Sequence, residues 1–262
     1  MSLSLSSSEV HVHLAADALV ACLVFKGLHG RSCEVLDKRM FVFAPGERAS
    51  AFSALADWMR PMSRGTSVAW VLGHCDVNYL LLPWSPELMD DKIRDSAVQA
   101  LFGQQSGLDA SRFEVRFARA AYGRAQMVAL VQPELLADIV AHARGLRRRL
   151  RSISPGLALV WTRFAAMLVE ECGVFSVIDG HRQIVLRHRA AQLDSIALLP
   201  FGIQGLERFA SLPPGESLRF FSSIPVAMAS TSFIEGRFGL PTVPGFDNVH
   251  DAGCGFALAG VL

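Results

Sequence analysis

Between Ala121 and Arg163 the chain reads AYGRAQMVALVQPELLADIVAHARGLRRRLRSISPGLALVWTR, and this stretch constrains the fold more than any other. The apolar run Ala125 to Val131 reads as a strand that stops at Gln132-Pro133. An amphipathic helix is expected from about Glu134 to Leu146. Pro133 suits its start, because the missing N–H would be unpaired there anyway. A short strand around Leu150 to Ile153 follows, and Ser154-Pro155 opens another apolar helix. Strand, helix and strand at this spacing make a βαβ unit with a parallel strand pair. The chain is therefore expected to be α/β, yet no catalytic group stands out in the stretch.

Half of the 262 residues (51%) are hydrophobic and the mean hydropathy is +0.33, which raises the question of a membrane span. The strongest candidate, Gly65 to Pro86, carries His74, Asp76 and Asn78 in its middle and Pro83 near its end. A bilayer penalises that polar centre, whereas two strands joined by a polar turn do not. A soluble protein is expected. Its net charge of +1 gives no reason to expect nucleic acid as a partner. The opening MSLSLSSSEV lacks the charged and apolar regions of a secretory signal and reads as a polar lead-in. The five cysteines (Cys22, Cys33, Cys75, Cys172, Cys254) show no C-x-x-C spacing, and their apolar settings suit free thiols in a reducing cytoplasm.

In chain order, Val10 to Lys26 supplies two strands around a turn near Ala16-Asp17, and Arg39 to Phe43 a third. A helix is expected over Ala49 to Met59. The continuous apolar run Ser67 to Gly73 marks a strand buried on both faces. Val77 to Trp84 is a further strand, and Ser85-Pro86-Glu87 reads as the N-cap and first turn of a helix to about Phe102. Gly103 to Asp109 is loop, and Phe113 to Arg119 alternates as a half-buried strand. After the central stretch, Val174 to Ile178 and Gln183 to Arg189 form a hairpin turned at Asp179-Gly180. Leu193 to Leu199 continues it. A short helix is expected over Gly202 to Ala210, a strand over Ser217 to Ser222, a helix over Thr231 to Phe238, a strand over Leu240 to Val243, and a closing helix in DAGCGFALAGVL.

Each half thus opens with a β-meander and proceeds to helix and strand. That duplicated plan, with an extra block between Val77 and Val131, resembles the actin-like (ribonuclease H-type) proteins of bacterial envelope machines. These include the type IV pilus assembly protein PilM, the cytoplasmic part of the type II secretion protein GspL and, more distantly, the division protein FtsA. The local carriers are LLLPWSPELMDDKI, MVALVQPELLADIVAHARGLRRRLRSISPGLAL and the tail GCGFALAGVL. The resemblance implies a first domain over 9–171, with an inserted small α+β subdomain at about 77–153, and a second, reduced domain over 172–262.

The nucleotide motifs of that family are altered here. The first phosphate loop should offer an acidic residue, Gly and Lys, so that backbone amides and charges meet phosphates and metal; His13, Ala15 and Val20 stand in those places. The second loop should separate Asp and Gly by one residue, where Asp179-Gly180 are adjacent. The adenosine loop should carry paired glycines, where the chain reads Ser222-Ser223-Ile224-Pro225. The segment from Phe201 to Pro214 is short, so much of the subdomain that closes over nucleotide is missing. A pseudo-ATPase without cofactor is expected.

His11 and His13 lie on one strand face and make half of a metal site, but no further ligand has a recognisable spacing, so no metal is expected. His74 and Cys75 point to opposite faces of a strand and form no dyad. Asp247, His250, Asp251 and Cys254 follow Pro244-Gly245 and read as a solvated loop. Trp84, Trp161, Phe220 and Phe221 read as core. Arg144, Arg147, Arg148, Arg149 and Arg151 make the strongest charge run. A helix C-terminus explains one or two of them; a patch facing acidic lipid headgroups or an acidic partner segment accounts for the rest.

The expectation from the resemblance is a non-catalytic cytoplasmic scaffold at the inner-membrane face of a bacterium, in a type IV pilus or type II secretion-like assembly. It would dock a small membrane-anchored protein, whose cytoplasmic segment enters a groove in the first domain. The alternative is an active ATPase or kinase of the same fold that uses ATP and magnesium. A hydrolase built on the His250 loop is a third class, supported by composition alone.

Overall fold

The computed structural model describes residues 7–27, 32–119, 122–169, 171–202, 206, 209, 212–224 and 234–262. In chain order these form β1 (Ser7–Leu14), β2 (Ala18–Lys26), β3 (Cys33–Val42), α1 (Arg48–Met59), β4 (Ser67–Leu72) and β5 (Val77–Leu82). Then come α2 (Asp91–Ser106), β6 (Glu114–Phe117), β7 (Gln126–Val131), α3 (Pro133–Gly145), β8 (Leu150–Pro155) and α4 (Gly156–Phe164). The last part holds β9 (Cys172–Asp179), β10 (Arg182–Arg189), β11 (Gln192–Pro200), β12 (Glu216–Ser222), β13 (Ile234–Arg237) and α5 (Gly255–Leu258).

Two five-stranded sheets share one plan: β3-β2-β1-β4-β8 and β11-β10-β9-β12-β13, each an antiparallel meander extended by two parallel strands. β4 lies between β1 and β8, and its SVAWVL run is buried on both faces, as a central parallel strand requires. On the outer face of the first sheet, Val10, Val12, Leu14 and Trp70 pack under α1 and α3. The helices present Ala51, Leu55 and Met59, and Leu135, Ile139 and Ala143, each set spaced at four residues on one helical face. Between the two sheets lie α4 and the C-terminal segment, where Leu157, Val160, Phe164 and Phe256 meet Val71, Phe175 and Phe221. Among the described residues no helix is long and apolar enough to cross a membrane.

The central stretch folds differently from the expected βαβ unit. β7 pairs antiparallel with β5 and β6 in a separate three-stranded sheet, while β8 pairs parallel with β4. α3 is therefore the crossover from β4 to β8, and the block β5 to β7 interrupts it. Local periodicity defines elements but not the sheet each joins. The inserted sheet accordingly ends at Val131 rather than near 153, because α3 and β8 return to the first sheet.

Other local expectations shift for identifiable reasons. Ser85-Pro86 opens only a 3-10 turn, Pro86–Met89. The helix starts afresh because the Asp90 carboxylate accepts from the N–H groups of Lys92 (2.8 Å) and Ile93 (3.3 Å). It runs on to Ser106 and stops at Gly107 in a left-handed conformation. The β9–β10 turn is Gly180-His181, with Asp179 closing the strand pair opposite Arg182. Ile234–Arg237 is a strand, not helix, because pairing with β12 overrides its propensity; Thr231–Phe233 lie outside the described residues. Leu240 to Val243 forms only a single bridge, Val243 with Phe246, around Pro244-Gly245. The closing helix shrinks to a 3-10 turn and four residues in a glycine-rich segment. Most of the expected helix over Gly202 to Ala210, and residues 1–6, lie outside the described residues. Phe220 and Phe221 are core and Trp161 packs partly buried against it, but Trp84 is exposed, edge-on to Tyr122.

Candidate functional site

Two places could carry function in this architecture: the cleft where β1 and β9 meet, and a groove beside β8. The cleft holds His13 and Asp179, two positions that the sequence resemblance sets against phosphate loops. β1 sends Val10, Val12 and Leu14 to the outer core, so Glu9, His11 and His13 point towards the second sheet. There His13 Nε2 lies 3.3 Å from Asp179 Oδ2, with both side chains buried. The imidazole of His13 also stacks on Phe256 at 4.8 Å between ring centroids.

Further contacts fill the cleft. The backbone N–H of His74 donates to Asp179 Oδ2 (3.3 Å), and the Ser223 hydroxyl donates to Asp179 Oδ1 (3.3 Å). Ser223 Oγ in turn accepts from the Gly180 N–H. Burial alone would raise the Asp179 pKa. Attraction to His13 and His74, with their hydrogen bonds, outweighs it and holds the carboxyl well below the usual range. The His74 ring sits between Tyr79 and Phe256, and burial pushes its pKa down to about 4. Gly73 must be glycine, since a Cβ there would stand 2.4 Å from the Leu14 carbonyl oxygen and 2.7 Å from Asp179 Oδ2. The cleft is thus joined by the chain's own polar groups and capped by its C-terminal aromatic ring.

His11 is drawn to a different acid. Its Nε2 contacts Glu9 at 3.0 Å, and Glu9 also receives Lys26 (2.9 Å), Ser67 (3.2 Å) and Arg151 (3.3 Å). Burial would raise the Glu9 pKa, but His11 and Lys26 bring it down to about 2. The two histidines therefore serve separate pairs, and among the described residues no group of three or more His, Cys, Asp or Glu side chains could hold a metal. His74 and Cys75 lie not on a strand but in the turn between β4 and β5, where His74 is buried and Cys75 exposed, so they still face apart. Asp247 folds its loop by accepting from the N–H groups of Val249 and His250, and Asp251 pairs with Lys38 at 2.6 Å.

The groove is a cavity of about 340 Å³ between the first sheet and the inserted one. Its walls are Leu150, Ser152, Ile153 and Pro155 of β8, Glu114 and Arg116 of β6, and Ala129 and Val131 of β7. β8 is the outermost strand of its sheet and β6 of its own, so two outermost strands flank a largely apolar channel that Arg151 also lines. Sequence reading missed this site because its walls come from separate elements, none of which carries a motif.

The arginine run divides in three. Arg148 is buried and its guanidinium donates to the carbonyls of Met59 (3.0 Å), Met62 (2.7 Å) and Ser63, closing the C-terminus of α1. Arg151 pairs with Glu9. Arg144, Arg147 and Arg149 are exposed. The expected five-residue patch therefore loses Arg148, which faces inwards.

No protein-family model and no curated protein matches this sequence. Among solved structures, the chain is similar to the cytoplasmic domain of EpsL, an inner membrane component of the type II secretion system of Vibrio cholerae. The identity is 13%, with 96% of this chain and 95% of that one covered and a TM-score of 0.59. It is similar to a structure of the PilM-PilN type IV pilus biogenesis complex at 14% identity, 97% and 96% coverage and a TM-score of 0.58. A Bacteroides thetaiotaomicron protein of unknown function with an actin-like ATPase fold aligns at 8% identity, 88% and 90% coverage and a TM-score of 0.56. The duplicated sheet order and these likenesses together establish that the chain has the actin-like fold.

Proposed function

We propose that this protein is a non-catalytic scaffold of a type IV pilus or type II secretion-like assembly, positioned at the cytoplasmic face of the inner membrane. The groove beside β8 takes an extended cytoplasmic segment of a membrane-anchored partner. The observation that carries this reading is the pairing of an apolar channel with two outermost strand edges, which suits a peptide bound by backbone hydrogen bonds and side-chain pockets. The filled cleft supports the non-catalytic part, because the His13–Asp179 contact stands where phosphates would need open backbone amides. The likeness to a complex of PilM with PilN, and to an inner membrane component, supports the setting. Domain limits of 9–171 and 172–262 fit this reading, with the second sheet beginning at Cys172.

A photo-crosslinking residue placed at Ser152, in cells, tests the docking. A crosslink to a single-span membrane protein from Ser152, absent from a control at Asp95, is expected. Crosslinks only to soluble proteins, or the same products from both positions, would contradict it.

A further inference from the structure

Arg148 fastens together two loops at one end of the first sheet: the loop from α1 to β4 and the turn from α3 to β8. The segments 60–67 and 144–152 contain seven arginines and no Asp, Glu or Lys. Three of the seven are accounted for, since Arg148 closes α1, Arg60 pairs with Asp57 (2.7 Å) and Arg151 with Glu9 (3.3 Å). Arg64, Arg144, Arg147 and Arg149 are exposed, and among the described residues no carboxylate pairs with them.

The helix dipole accounts for Arg144 alone, which lies in the last turn of α3. The carbonyls ending α3 are answered by backbone: Arg147 N–H donates to Arg144 O and Arg148 N–H to Ala143 O, both at 2.9 Å. This pattern places residue 147 in the left-handed region, at φ +52°, where glycine is the favoured residue. An arginine in an unfavourable backbone position, on an exposed turn and with no carboxylate partner among the described residues, is better explained by binding than by folding.

We propose that this face binds the phosphate headgroups of an anionic lipid bilayer. Arginine rather than lysine throughout suits bidentate contact with phosphate. Four charges, each worth about five-fold in affinity near such a surface, give weak binding that orients a protein rather than anchoring it. The overall charge of +1 disfavours nucleic acid, whose binders are strongly basic. The inference is independent of the groove.

Co-sedimentation of the full chain with vesicles of phosphatidylcholine and phosphatidylglycerol (about 7:3) at low salt tests it, against phosphatidylcholine alone. Binding to the anionic vesicles only, released by high salt, is expected. Arg147→Gly should weaken it about five-fold with an unchanged or raised melting temperature, so lost binding cannot be misfolding. Replacing Arg64, Arg144 and Arg149 by Gln in addition should abolish it. No binding to anionic vesicles, equal binding to neutral ones, or full retention in Arg147→Gly would overturn the proposal. So would displacement from the vesicles by an equimolar DNA duplex.

Discussion

The cleft and the groove are both junctions between sheets, yet the cleft is closed by this chain's own side chains while the groove lies open between two outermost strands. In the cleft, Asp179 meets His13, the His74 amide and Ser223, all from this chain, and Phe256 covers the space. In the groove, β8 and β6 are each the last strand of their sheet, around largely apolar walls that Glu114, Arg116 and Arg151 also line. The Asp179 carboxylate is answered within the chain, and such a buried contact contributes stability. A site left open awaits something else. On the proposed reading, the cleft is structural and the groove, a region without any motif, is where a partner docks.

The comparison can be broken most forcefully at Asp179. Asp179→Ala leaves His13 buried without its partner and should cost about 3–5 kcal/mol, read as a loss of denaturation midpoint. A wild-type midpoint would mean that the cleft is not held by this contact.

Acid should loosen the cleft next. The folded-state pKa of His74, about 4, lies below its ordinary 6.5, so between these values the unfolded chain takes up a proton that the folded chain refuses. Stability is full above pH 6.5 and falls as pH drops towards 4, by about 3 kcal/mol. Asp179 and Glu9, both depressed, extend the loss: their contributions are present above about pH 4 and vanish as pH falls through their folded values, about 2 for Glu9. His74→Phe should flatten the upper part of the curve, measured by melting between pH 7 and 4.5. An unchanged slope would mean that His74 does not contribute.

Gly73→Ala comes third, at about 1–3 kcal/mol, because the added Cβ must push the Leu14 carbonyl away from the cleft. The smallest stability effect belongs to the groove. Ser152→Trp should shift stability by no more than about 0.5 kcal/mol while abolishing the crosslink to a membrane-anchored partner from a probe at Arg116. A large stability loss would show that the channel is part of the core.

Much of the fold was legible because it rests on local signals. The two apolar strands around the Ala16-Asp17 turn, the apolar run of β4 and the amphipathic pattern of α3 each define an element without help from elsewhere. The duplicated meander then indicated the architecture. What was illegible depends on pairing across distance. Nothing in MVALV says that β7 joins β5 and β6, and nothing in the arginine run says that Arg148 turns in to close α1. The His13–Asp179 contact joins two residues in separate halves that no sequence signal linked to each other. The groove has no sequence signature, since an outermost strand is known only once its sheet is assembled.

The most direct test of the contrast is calorimetric titration of the intact protein with ATP and magnesium. A self-filled cleft predicts no heat of binding up to millimolar ATP. A dissociation constant below about 100 µM, equivalent to about −5.5 kcal/mol of site complementarity, would contradict it and make the cleft, rather than the groove, the place to look for function.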